Sequence, residues 1–328
     1  MRFKTVLIVG VLLFGIAAVV LSVIYPQSDD MFVENPFWNG MSEVYRDIKP
    51  VRISNLGVLV DVVDPFNSKL LMLGPSTDYS DEDISVVRGY LEEGGTVVLA
   101  DDFGTGNQLL VGLGVNARFS GLLLQDTLFK ERNDLLPRVL DLKSSDYTEG
   151  VSGLALNTPT VLVGVDEDQV LAYSSVVSFI GEDEKTPTVG SIYGPFPVLA
   201  LIQFGGGRLL LISDPSLFLN SMIGLEGNDS LLLGLAKGSV FIDEAHSVLS
   251  RLTRFKMLLA QLYGVVSLTE VKYGLAALLV VGVSKVKWGE PEIVEVEEVE
   301  AVMRRHPEYD RRLVEEVDRF RRRARGVQ

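Results

Sequence analysis

The apolar run Ser239–Ile242 closes on Asp243-Glu244-Ala245-His246, two acids and an imidazole within one short segment. In NTP-driven motors a strand ending in Asp-Glu holds the Mg²⁺ of the bound nucleotide, and a histidine beside carboxylates can equally move a proton. The motor reading fails at once. Such a site needs a glycine-rich phosphate loop closing on Gly-Lys-Ser or Gly-Lys-Thr, and neither tripeptide occurs in the chain.

Three more polar groups follow apolar runs: Ser76 and Thr77 after Pro75, the pair Asp101-Asp102, and Ser213-Asp214. If those runs are neighbouring strands of a parallel sheet, all four groups lie on one edge, where open α/β sheets bind ligands. With Asn107 and Glu244 they make a candidate pocket of Ser76, Thr77, Asp101, Asp102, Asn107, Ser213, Asp214, Asp243, Glu244 and His246. Carboxylates with a histidine could hold a hard cation or serve as acid and base, the chemistry of a metal-dependent hydrolase. They could also line a non-catalytic ligand pocket. The same residue types are ordinary helix N-caps, so all three readings stay open and no catalytic residue is assigned. Gly104-Thr105-Gly106-Asn107-Gln108-Leu109 has the spacing of a dinucleotide fingerprint, but Leu109 stands where the third glycine allows close helix–strand packing. No cofactor is expected.

Composition narrows the classes further. The absence of cysteine excludes disulfides, thiolate-ligated zinc and a cysteine nucleophile. A net charge of −14 argues against nucleic acid, which needs clustered Lys and Arg. The 47% hydrophobic content is high and points to apolar segments outside an ordinary core. Val6–Ile24 is uncharged, follows Arg2 and Lys4, and at about 1.5 Å per residue is long enough for a bilayer core of about 30 Å; a cleavable signal peptide is the competing reading, but no A-x-A-like site follows. A second apolar run, 273–284, sits between Lys272 and Lys285, with Tyr273 and Trp288 as interface residues that would extend a span over 273–288. By the positive-inside rule the acidic domain would face outward and the Arg321–Arg325 end inward.

The elements that must position the polar groups are clearest at YSDEDISVVRGYLEEGGTVVLADD. Ser80 with Asp83 three residues on forms a capping box, Ile84, Val87 and Leu91 share a helix face, and Gly94-Gly95 stops the helix before the buried strand TVVLA. Strand, helix and strand in close succession predict a parallel βαβ unit. Ser42–Ile48 reads as a short helix, Leu56–Val63 and Lys69–Gly74 as strands, and Gly106 onward as a helix. Residues 118–197 read as a β-rich insertion. GRLLLIS and SVFID are the last strands, with SLLLGLAK a helix between them. The expected organisation is an anchor over 1–25, an α/β domain over 26–250, a helical segment over 251–288 and a charged tail over 289–328. In that tail Tyr309, Leu313, Val317 and Phe320 form an apolar helical stripe, read either as a docking face for a protein partner or as one side of a solvated helix that enforces topology.

LADDFGTGNQLLVGLGV followed by RFSGLLLQD, then GGGRLLLISDPSLFLN, NDSLLLGL and VFIDEAH, resembles the archaeal and bacterial family called domain of unknown function 4350, over roughly residues 39–250. The resemblance implies kinship with class I glutamine amidotransferases and with the GIFT domain of intraflagellar transport proteins. The expected fold is a flavodoxin-like, mostly parallel sheet between helices. It also implies a membrane anchor and an accessory role beside MoxR-type ATPases. Amidotransferase chemistry does not carry over, because its nucleophile is a cysteine. The resulting expectation is a scaffold or binding module without enzymatic activity, held in the bilayer of the cell membrane. The metal-dependent hydrolase is the alternative.

Overall fold

The computed structural model describes residues 10, 11, 13–15, 29–62, 64–182, 187, 191–285 and 299–324. The chain divides into two compact units, 1–259 and 260–328.

In the first unit α1 (Ser42–Ile48) leads to β1 (Val51–Ile53) and β2 (Ser68–Leu73). Next come α2 (Asp81–Glu92), β3 (Thr96–Ala100) and α3 (Gly106–Leu113). Ser80 caps α2 as its spacing predicts: its Oγ accepts from Asp83 N (3.2 Å) while Asp83 Oδ2 accepts from Ser80 N (2.9 Å). Short strands follow: β4 (Arg118–Phe119), β5 (Leu123–Gln125), β6 (Arg138–Val139), β7 (Asp141–Leu142), β8 (Leu154–Ala155), β9 (Leu162–Val163), β10 (Val170–Tyr173), β11 (Phe179–Gly181) and β12 (Ile192–Tyr193). The hairpin β13 (Pro197–Phe204) and β14 (Gly207–Ile212), helix α4 (Asn228–Leu235) and β15 (Ser239–Asp243) complete the sheet.

The central sheet runs β1-β15-β2-β3-β14-β13-β10-β7. Its first five strands are parallel neighbours, and the pairings β14-β13, β13-β10 and β10-β7 are antiparallel. The sheet is therefore mixed, which corrects the expected mostly parallel one: β13 and β14 form a direct hairpin in which Phe204 pairs with Gly207, so no crossover helix separates them. Leu70, Met72, Val97, Leu99, Leu209 and Leu211 pack on one face against Val87 and Leu91 of α2 and Leu109, Leu110 and Leu113 of α3. The alternate residues Leu71, Leu73, Val98, Leu210 and Ile212 pack on the other face with Val44 of α1, Leu231 and Leu235 of α4, and the β-rich segment. Burial on both faces explains why β3 is continuously apolar. Leu56–Asp61 is a 3₁₀ turn rather than the expected strand, because Asn55 Oδ1 accepts from Gly57 N (2.7 Å) and only Leu56 and Leu59 are buried.

In the second unit α6 (Thr269–Lys285) is followed by α7 (Val299–Arg305) and α8 (Arg311–Ala324). Helix α5 (Arg251–Ser267) crosses the boundary between the units. Among the described residues no helix is long and apolar enough to cross a membrane. Over the described residues this corrects the expected transmembrane helices and the expected placement in the cell membrane. Helix α6 has 17 residues. It opens with Glu270 and Lys272, leaving an apolar stretch of only about 18 Å at 1.5 Å per residue. The run Val6–Ile24 lies outside the described residues apart from 10, 11 and 13–15, as do residues 286–288 of the second expected span.

Candidate functional site

Because β15, β2, β3 and β14 are adjacent and parallel, the four polar groups after them do share one edge of the sheet. Their side chains are turned toward the chain's own backbone. Asp101 is 2% exposed and accepts three N–H groups: Asp102 (2.9 Å) and Gly104 (3.0 Å) on Oδ1, and Gly106 (2.7 Å) on Oδ2. The loop closes so tightly that a Cβ on Gly104 would stand 2.3 Å from the Pro75 carbonyl oxygen, and one on Gly106 would stand 2.6 Å from Asp101 Oδ2. The glycines of the fingerprint-like GTGN thus wrap a carboxylate. Asp102 Oδ1 accepts from Phe103 N (2.6 Å). Asp214, fully buried, accepts from Ser216 N (2.7 Å), capping the 3₁₀ turn Pro215–Phe218, and from Asn157 N (2.6 Å) in the β-rich segment. Ser213 is buried beside it, and among the described residues nothing partners its hydroxyl.

Ser76 and Thr77 knit β2 to the loop after β15. Their N–H groups donate to the His246 carbonyl (2.8 and 3.3 Å), and Ser76 Oγ accepts from Val248 N (3.1 Å). Asn107 belongs elsewhere. It brackets Phe119, donating to its carbonyl (2.8 Å) and accepting from its N–H (2.9 Å), and so docks β4 on α3. Glu244 pairs with Arg52 (2.8 Å), which also pairs with Glu34.

His246, 5% exposed, is the centre of a buried polar cluster. Its Nδ1 donates to Asp243 Oδ2 (2.7 Å), while Asp243 Oδ1 accepts from Ala245 N (2.9 Å). Its Nε2 faces Asp83 Oδ2 at 3.6 Å, and its ring stacks on Tyr79 with centroids 4.1 Å apart. Tyr79 is fixed in turn by Gln108, whose amide accepts from Tyr79 N (2.8 Å) and donates to its carbonyl (3.0 Å). The sequence reading missed Tyr79, Asp83 and Gln108 as members. Asp83 was visible only as a cap, and the DEAH segment gives no sign of the ring against which its histidine packs.

Burial pulls the His246 pKa down, but the hydrogen bond and charge of Asp243, with Asp83, outweigh it and the net direction is up. Burial acts first on Asp83 too and raises it, yet the Ser80 hydrogen bonds and His246 leave its carboxyl below the usual value. Burial pushes Asp101 up to about 6 against its backbone donors. Asp214 is pushed up to about 7 by burial, with the neighbouring charge of Asp102 adding to the rise. Among the described residues no group of three or more His, Asp and Glu side chains is arranged to hold a metal ion.

A family model described as domain of unknown function (DUF4350) matches residues 34–236. No curated protein matches the chain. The solved structures it is similar to include the mmIFT52 N-terminal domain, at 17% identity over 57% of this chain and 82% of that one, with a TM-score of 0.41. A β-galactosidase from Bacillus circulans sp. alkalophilus matches at 13% identity over 50% of this chain and 22% of that one, with a TM-score of 0.27. Gan42B, a GH42 β-galactosidase, matches at 17% identity over 52% and 22%, also with a TM-score of 0.27.

Proposed function

The chain belongs to the family of the domain of unknown function 4350, and from the site itself we propose that it is a binding or scaffold module without enzymatic activity, its polar sheet edge serving as architecture. The observation that supports this reading is the use of the carboxylates. Both oxygens of Asp101, Asp214 and Asp243 are engaged by backbone N–H groups or by His246. A metal ligand or general base needs lone pairs aimed at a space that a reactant can enter.

The arrangement closest to catalytic is the Asp243–His246 pair, which has the form of a carboxylate orienting a base. Its outward nitrogen meets Asp83 rather than a cavity, and its ring is covered by Tyr79. Asp83, on α2, and Tyr79, just ahead of it, thereby tie this segment to the end of β15.

In this reading the contact surface for a protein partner is the second unit. Helices α7 and α8 border an apolar groove that includes Val299, Val302, Tyr309, Leu313 and Val317, edged by Glu308, Asp310, Asp318 and Arg321; Phe320 on α8 is 76% exposed. Arg319 and Arg321–Arg323 crowd the carboxyl end of α8. The occupant is an amphipathic helix on a partner protein, its apolar face in the groove and an acidic residue placed opposite the arginines at the end of α8, away from Glu308, Asp310 and Asp318.

The enzymatic alternative is separated by incubating the full chain with chromogenic phosphate and carboxylate esters, with and without Mg²⁺, Mn²⁺ or Zn²⁺. The scaffold reading expects buffer-level rates throughout. Metal-dependent turnover that disappears in Asp243→Asn would replace it with the hydrolase reading.

A further inference from the structure

The opposite edge of the same sheet carries a second polar pocket of the other sign. Thr96 opens β3 and is the register partner of both Lys69 on β2 and Arg208 on β14. The three side chains therefore leave one face of the sheet in a row, and at about 4.8 Å per strand the backbone positions of Lys69 and Arg208 flank Thr96 about 10 Å apart. Lys237, just ahead of β15, adds a third cation, and Lys69 Nζ donates to its carbonyl oxygen. Tyr147 lies over the row with its hydroxyl 3.4 Å from Thr96 Oγ1 and 3.4 Å from Arg208 Nη1. These residues border a cavity of about 300 Å³.

Among the described residues neither Lys69 nor Lys237 has a carboxylate partner, and Asp146, 3.6 Å from Arg208 with its side chain 84% exposed, is the one acid bordering the cavity. Such clustering runs against a chain of net charge −14. It also has a cost: burial, then the charges of Lys237 and Arg208, pull the Lys69 ammonium below its ordinary pKa. A bound anion would reverse the Coulombic part of that cost.

We propose that this edge binds a small phosphorylated molecule, its oxyanion held by Lys69, Arg208 and Lys237 with the Tyr147 hydroxyl as a further donor. The guanidinium fork suits a tetrahedral oxyanion, and the cavity lies at the lower end of the range for small-molecule pockets, larger than the ion alone requires. The site is separate from the carboxylate edge and stands independently of its reading.

Pyrophosphate is the probe, titrated by calorimetry into the full chain at constant ionic strength, with melting followed in parallel. The expected result is one saturable site, a rise in melting temperature, and at least about tenfold weaker binding in Lys69→Met and in Lys237→Gln. Lys237 is exposed, so its substitution leaves the fold intact. Lys69→Met should melt close to the parent without anion, because removing a charge repelled by its neighbours offsets the lost hydrogen bond to the Lys237 carbonyl. The proposal is overturned if pyrophosphate gives no saturable binding, or if Lys237→Gln and Lys69→Met bind it as tightly as the parent chain.

Discussion

Asp101→Ala removes the acceptor of three backbone N–H groups. That of Gly106 is buried at the start of α3 and has no route to water, so leaving it unsatisfied costs about 1–3 kcal/mol. The donors of half-buried Asp102 and exposed Gly104 can rehydrate and add about 1 kcal/mol more. The total is about 2–4 kcal/mol. Asp101→Asn keeps one oxygen for two donors and turns an NH₂ toward Gly106, so it should lose roughly half as much. Because burial raises Asp101 to about 6 from 3.8, the folded chain binds this proton more tightly than the unfolded one. Its contribution is full below about 3.8 and is lost as pH rises through about 6. The alanine penalty should therefore be larger at pH 5 than at pH 8. Urea denaturation followed by circular dichroism at both pH values measures it. A functional carboxylate held there at the expense of stability would give the opposite sign, so an alanine variant as stable as the parent at pH 5, or more stable, refutes the architectural reading.

His246→Gln should cost the most stability below the ordinary histidine value of 6.5, and the deficit should shrink as pH rises through the raised folded value; urea midpoints against pH read the difference. Asp101 and Asp214 act with the same sign at lower pH, so the parent-minus-variant difference isolates the imidazole. Asn228 is fully buried, accepting from Ala155 N (3.1 Å) and donating to the carbonyls of Ala155 (2.9 Å) and Met222 (3.0 Å). Asn228→Ala should lower stability by about 2–4 kcal/mol in the same denaturation assay. Leu313→Glu with Phe320→Glu should leave the first unit's stability within about 0.5 kcal/mol, as surface changes do, while abolishing co-purification of a partner.

Local signals were legible where the chain closes on itself over a few residues. The capping box of α2, the glycine stop and the all-apolar β3 carry their structure in one window, and from them the shared edge of four strand ends could be anticipated. The roles of the residues on that edge were harder. Asp101 had a readable sign in the glycines three and five positions on, but their spacing equally fits a phosphate loop. The partner of Asp214 is Asn157, in a segment whose fold periodicity does not reveal, and His246 meets Tyr79 and Asp83 only because β15 lies beside β2. The apolar run Leu56–Val63 read as a strand because nothing marked Asn55 as its cap. The oxyanion pocket escaped for the same reason as Tyr79: Lys69, Thr96 and Arg208 meet through sheet register, which a single sequence does not display.

The central claim is that the carboxylates of the sheet edge are spent on the fold. Calorimetric titration of Mg²⁺, Mn²⁺ and Zn²⁺ into the full chain, beside folded Asp243→Asn and Asp214→Asn variants, addresses it most directly. The account predicts that no saturable site depends on either carboxylate. A stoichiometric site with Kd below about 1 mM, present in the parent and absent from both variants, would contradict it.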